Sequence, residues 1–148
     1  MTERWAFTPR RISPEQVNRS WVVLEPMLQT LWDKMSMWTE MTLEDVQEEI
    51  AKEVMQLWAL ALDNGALFGL VLTELVFHKE STYFRIVGAV SKPGMKPDWR
   101  YAIMAFEQIA KDLDCSTIEL VGRIGWKREL KGLGYRELRL MSKELTDG

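Results

Sequence analysis

Between residues 57 and 91 the chain carries three long, largely apolar runs separated by very short connections. The first two, 57–62 and 67–78, are joined through Asp63-Asn64-Gly65, residue types that accept the positive φ of a tight hairpin. Lys79-Glu80 offers a two-residue turn before the third run, 83–91. Connections this short bring consecutive strands back antiparallel to one another, so the centre of the chain is expected to be a three-strand meander. Gly69, inside the second run, marks a candidate bulge.

The flanks read mostly as helix. Residues 10–12 suit a short first strand, after which Ser13-Pro14-Glu15 supplies an N-cap, a first-turn proline and a first-turn acid. Val17, Trp21, Leu24, Leu28, Leu31 and Met35 follow at helical spacing. Pro26 lies inside that pattern and removes a donor, so a kink or break is expected there. Thr42 opens a second helix with Leu43, Val46, Ile50 and Val54 on one face. Residues 92–98 hold two prolines and a glycine and form a loop. Asp98 then caps a third helix, with Trp99, Ala102, Ile103, Phe106, Ile109, Ala110 and Leu113 on one side. A strand at 117–121, a short basic helix at 126–132 and a closing strand at 135–143 complete the order β-α-α-β-β-β-α-β-α-β. That order describes an α+β (or α/β-type) domain: a central mixed, mostly antiparallel sheet of about six strands, with helices on both faces. At 148 residues and 47% apolar the chain suits one domain, 1–148, with residues 1–9 as an N-terminal arm.

This order, with Leu133-Gly134-Tyr135 after the short helix, resembles the GNAT (N-acetyltransferase) fold family. Residues 118–135 are more specifically similar to the C-terminal half of small GNAT-like proteins encoded by tailed phages. The resemblance implies acetyl-CoA held where two central strands splay, with the backbone of Val87, Gly88, Ala89, Val90 and Ser91 along its pantetheine. It also implies a pyrophosphate seat in the loop 92–98, where Lys92, Gly94, Lys96 and Arg100 would meet the phosphates, with Arg123 as a further cation. The seat departs from the family pattern of a Gln/Arg-x-x-Gly-x-Gly/Ala loop. Pro93 and Pro97 carry no N–H, and Asp98 puts a carboxylate where an anion should approach. Leu130 stands where many members carry an acidic Tyr, and Arg123 where an Asn is common.

Glu74 is the one acid within an otherwise apolar strand. It is the candidate general base, and its competing role is a cross-strand ion pair, because a Lys79-Glu80 turn sets it opposite Arg85. His78 reads as a turn residue, and Cys115 as an inert thiol. One histidine and one cysteine make no metal site of their own, so none is expected. From Arg123 to Arg139 six basic residues face two acids, a local excess in a chain of net charge −3. Lys127 and Lys131 share a helix face that suits either solvent or an anionic partner. Trp126 is expected to plug the junction before that helix. Seven tryptophans exceed the needs of one small core; Trp5 and Trp38, beside Phe7, Met35, Met37 and Met41, suit either a partner surface or packing under a loop.

The expected protein is therefore a phage-type GNAT-fold chain with a degenerate acetyl-CoA loop. It would be a weak or inactive acyltransferase serving as a protein-interaction, virion-associated or host-directed factor, and it would bind a virion or host protein or form a homo-oligomer. The alternative is an active acetyl-CoA-dependent N-acetyltransferase of unknown amine substrate. The overall charge disfavours nucleic acid. No apolar run approaches the roughly 20 residues of a membrane span. The single cysteine and the charged first residues point to the cytosol, without a secretory leader.

Overall fold

In the computed structural model, residues 9–35, 41–62, 64–95, 97–122, 125–138, 141–143 and 145 are described. The three apolar runs form β2 (Met55–Ala61), β3 (Leu67–Phe77) and β4 (Thr82–Ser91), each antiparallel to the next. β1 (Pro9–Ile12) adds antiparallel to β2, and β5 (Thr117–Leu120) adds parallel to β4, giving the order β1-β2-β3-β4-β5. The mixed, mostly antiparallel α+β architecture is as expected, with five strands among the described residues.

The expected closing strand is not formed among the described residues. Residues 135–138 and 141–143 take no strand conformation, and Leu138 and Met141 are 69% and 93% exposed. Gly132 and Gly134 both adopt positive φ at the turn before this segment. The Tyr135 hydroxyl then donates to Glu107 at 2.9 Å, tying the chain to a helix rather than to the edge of β5.

Strand alternation divides the core in two. On one face α1 (Pro14–Arg19), α2 (Trp21–Met35) and α3 (Leu43–Ala51) cover Leu57, Leu70, Leu72, Val87 and Val90. On the other, α4 (Trp99–Asp112) and α5 (Gly125–Glu129) cover Trp58, Phe68, Val71, Phe84 and Ile86. Capping boxes start α1 (Ser13 with Gln16) and α3 (Thr42 with Asp45). α3 stops three residues before Val54, because Glu53 takes φ +61 and the Val54 N–H turns back to the Glu49 carbonyl; Val54 is exposed. Leu113, expected on the core side of α4, is a half-exposed C-cap.

The break in the first helical stretch falls at Ser20 and not at Pro26, which sits inside α2. The Pro26 ring deprives only the carbonyl of Val22, in the first turn of α2. Val22 is 83% exposed, so water can serve that carbonyl. At Ser20 the N–H still bonds the Gln16 carbonyl, whereas its own carbonyl receives Val23 and Leu24 and starts the second helix.

Two bulges shape the sheet. Leu60 pairs with Gly69 while Ala61 pairs with Leu67, so the first bulge lies beside the expected glycine. A Cβ on Gly69 would stand 2.7 Å from the Val90 carbonyl oxygen, which is why this position takes no side chain. The second bulge has no glycine signal at its centre. Leu72 pairs with Gly88 and Thr73 with Ile86, leaving Val87 as the extra residue of β4.

Candidate functional site

The β4 bulge sits where β4 and β5 part. Their parallel register runs from Tyr83↔Thr117 to Ile86↔Leu120, and a final bond joins Val121 N–H to the Ile86 carbonyl at 3.2 Å. Gly122, at φ +117, then turns the chain away. Residues 87–91 of β4 consequently have no strand partner on the β5 side among the described residues. Lys92 N–H bonds the Phe68 carbonyl at 2.7 Å, so strand alternation directs Lys92 and Val90 toward β3. The same alternation directs the backbone groups of Ala89 and Ser91 into the fork. Of the five residues 87–91, Ala89 and Ser91 are therefore the ones whose backbone groups face the fork, with no strand partner there among the described residues, whereas those of Val90 are turned to β3.

Several polar groups of the loop beyond the fork are already engaged. Lys92-Pro93-Gly94-Met95 forms a turn in which Met95 N–H returns to the Lys92 carbonyl at 3.1 Å, with Gly94 at φ +82. Ser91 Oγ donates to the Met95 carbonyl at 3.3 Å. Asp98 caps α4, its Oδ1 accepting Arg100 N–H at 3.1 Å. The Arg100 guanidinium reaches away to the Lys131 carbonyl at 3.0 Å, beyond the end of α5. Lys96 and Arg123 lie outside the described residues. Two imino acids, a carboxylate cap and a committed arginine do not fit the pyrophosphate of acetyl-CoA.

Trp126 is buried and meets Trp99 edge to face, with ring centroids 5.8 Å apart, so the first turns of α4 and α5 are pinned together over the sheet. Trp126 thus acts as the expected plug. Leu130 is buried in the same core and offers no proton.

The ion pair weighed for Glu74 is present: Arg85 Nη1 donates to its Oε1 at 3.0 Å. The structure adds Glu119, whose Oε1 accepts Arg85 Nε at 2.8 Å. The three side chains are adjacent across β3, β4 and β5 on the α1–α3 side, at the closed end of the fork. Burial by itself lowers the Arg85 pKa, but the hydrogen bonds and charges of Glu119 and Glu74 outweigh it and hold the guanidinium above its ordinary value. Glu119 had no sequence signal, because a parallel register cannot be read from turn length.

His78 lies just after β3 and meets the Tyr83 ring at a steep angle, with centroids 4.4 Å apart and 62° between planes, in the turn role expected. Cys115 is half-buried; burial and the Asp114 charge push its thiol pKa up, so it is protonated and unreactive at neutral pH. Lys127 pairs with Glu137 at 3.2 Å between two exposed side chains. Trp5, Phe7, Met37 and Trp38 lie outside the described residues. Among the described residues no group of three potential metal ligands occurs, and no helix is long and apolar enough to cross a membrane.

A sheet that splays after its fourth strand, with a long helix starting beside the fork, is the architecture of the GNAT acetyltransferases, and this chain has that fold. No protein-family model and no curated protein sequence matches the chain. Solved structures do. An aminoglycoside acetyltransferase from an uncultured soil metagenomic sample, in complex with sisomicin, superposes with a TM-score of 0.67 at 11% identity, over 95% of this chain and 97% of that one. Aminoglycoside N-acetyltransferase AAC(6')-Iy in complex with CoA gives 0.65 at 10%, over 99% and 98%. A GNAT family acetyltransferase of Staphylococcus aureus gives 0.61 at 18%, over 95% and 99%.

Proposed function

We propose that this chain uses the acetyltransferase fold as a scaffold for protein contacts, in a virion-associated or host-directed role of the phage type, and transfers acyl groups weakly or not at all. The observation that carries the reading is the Asp98 carboxylate on the Arg100 amide, at the helix start where a coenzyme phosphate would need that donor. Pro93, Pro97 and the diverted Arg100 side chain support it. Calorimetric titration with acetyl-CoA tests the proposal: no heat of binding is expected at millimolar ligand. Micromolar, stoichiometric binding would overturn it.

A second reading has one observation in its favour. The fork at β4 and β5 keeps the backbone groups of Ala89 and Ser91 available, and a structural neighbour was solved with CoA. On that reading the chain is an acetyl-CoA-dependent N-acetyltransferase with Glu74, or a water beside it, as base. Acetylation of a panel of primary amines, followed by release of free thiol, separates the two.

A further inference from the structure

β1 is an edge strand whose outer side has no partner among the described residues. A cleft flanks that edge on each face of the sheet. On the α1–α2 face, about 420 Å³ of space lies beside Arg10 and Ser20, over an apolar floor of Ile12, Leu24 and Ala59. On the α4 face, about 270 Å³ lies beside Arg11, Glu53 and Gln56, against Trp58, Leu75 and Leu113. The arrangement follows from the pleat. Arg10 and Ile12 point to one face and Arg11 to the other, and the small Ala59 opposite Arg10 leaves the first cleft unfilled.

A strand laid along β1 would send alternate side chains into these two clefts. The charge on the edge selects which strand. Arg10 forms no salt bridge among the described residues, and Arg11 has only a 3.5 Å pair with Glu53 between exposed side chains, which is weak. The edge thus presents two arginines, Arg10 unpaired among the described residues and Arg11 weakly paired with Glu53, on a chain of net charge −3. A second copy pairing edge to edge would bring its own arginines against these, a repulsive arrangement. Pro9 and the four-residue length further discourage indiscriminate pairing.

We propose that the outer edge of β1 docks an extended acidic segment of a partner protein, its apolar side chains entering both clefts and its carboxylates meeting Arg10 and Arg11. The inference rests on the scaffold reading for its purpose. Its test uses no coenzyme, so either can fail while the other stands.

The probe is a fluorescein-labelled peptide, Glu-Glu-Val-Leu-Val-Glu-Glu, titrated with the full chain and read by fluorescence polarisation. Saturable binding that weakens with salt is expected, together with slowed amide exchange in β1. The double variant Arg10→Glu/Arg11→Glu should weaken it about tenfold or more, while Arg10→Lys/Arg11→Lys retains it. Circular dichroism on both variants checks that these exposed positions leave the fold intact. Equal binding of Lys-Lys-Val-Leu-Val-Lys-Lys, binding unchanged by charge reversal, or none at millimolar protein would overturn the proposal. A concentration-dependent dimer abolished by a β1 substitution would also overturn it, by making a second copy the occupant.

Discussion

Arg85 is shared between two carboxylates that come from strands on either side of it, so each carboxylate alone is dispensable to its charge balance. Glu74→Gln leaves the Glu119 pair in place and is expected to cost less than about 1 kcal/mol in chemical denaturation. Any acyl transfer by the chain should be unchanged by that substitution. A loss of about a hundredfold in a variant that still folds would instead make Glu74 the base. Tyr135 is the other group whose environment can be tested directly. Burial and the bond to Glu107 raise its phenol pKa above the ordinary 10.0. With the folded value above the unfolded one, its contribution to stability is complete below pH 10 and is lost as pH rises through the folded pKa. Ultraviolet titration should show a tyrosine ionising later than a free phenol, and Tyr135→Phe should remove that step. The same variant should lower stability at neutral pH by about 1 kcal/mol.

At the scale of elements, the two bulges decide where strands can approach and where they must part. Gly69→Ala places a methyl against a backbone carbonyl of β4, which cannot swing aside as a side chain could. The expected cost is about 2 kcal/mol, seen as a lower thermal midpoint with no change in helix content. The meander, the caps at Ser13, Thr42 and Asp98, and the Glu74–Arg85 pairing were legible in the sequence because each depends on residues close along the chain or on one turn length. The Val87 bulge and the Glu119 contact were not, since both depend on how separate strands settle in register. The displaced helix break had the same origin: Pro26 looks disruptive in isolation, yet its position in an exposed early turn of α2 makes the missing donor tolerable. The closing strand expected at 135–143 is not formed by the described residues of that segment, because the Tyr135 hydroxyl ties its start to Glu107 of α4 and not to the open edge of β5.

Across the whole molecule, the fork leaves the backbone groups of Ala89 and Ser91 without a strand partner among the described residues, while Asp98 and the Lys131 carbonyl engage Arg100 at the helix start beside it; on the scaffold reading proposed above, these contacts deny a coenzyme its phosphate seat. The two causes of closure differ in kind and can be removed separately. Asp98→Asn keeps the cap, because an asparagine side-chain oxygen accepts the same amide, and deletes the negative charge. Pro97→Ala restores one backbone N–H. If charge and missing donors both deny the site, acetyl-CoA affinity should rise in the order wild type, Asp98→Asn, then Asp98→Asn/Pro97→Ala, with the first step worth up to about tenfold. Calorimetry gives the order, and the coenzyme-induced rise in thermal midpoint checks it independently, since a ligand that binds only the folded state stabilises in proportion to its affinity. Three equal affinities would mean that neither the carboxylate nor the proline governs the site.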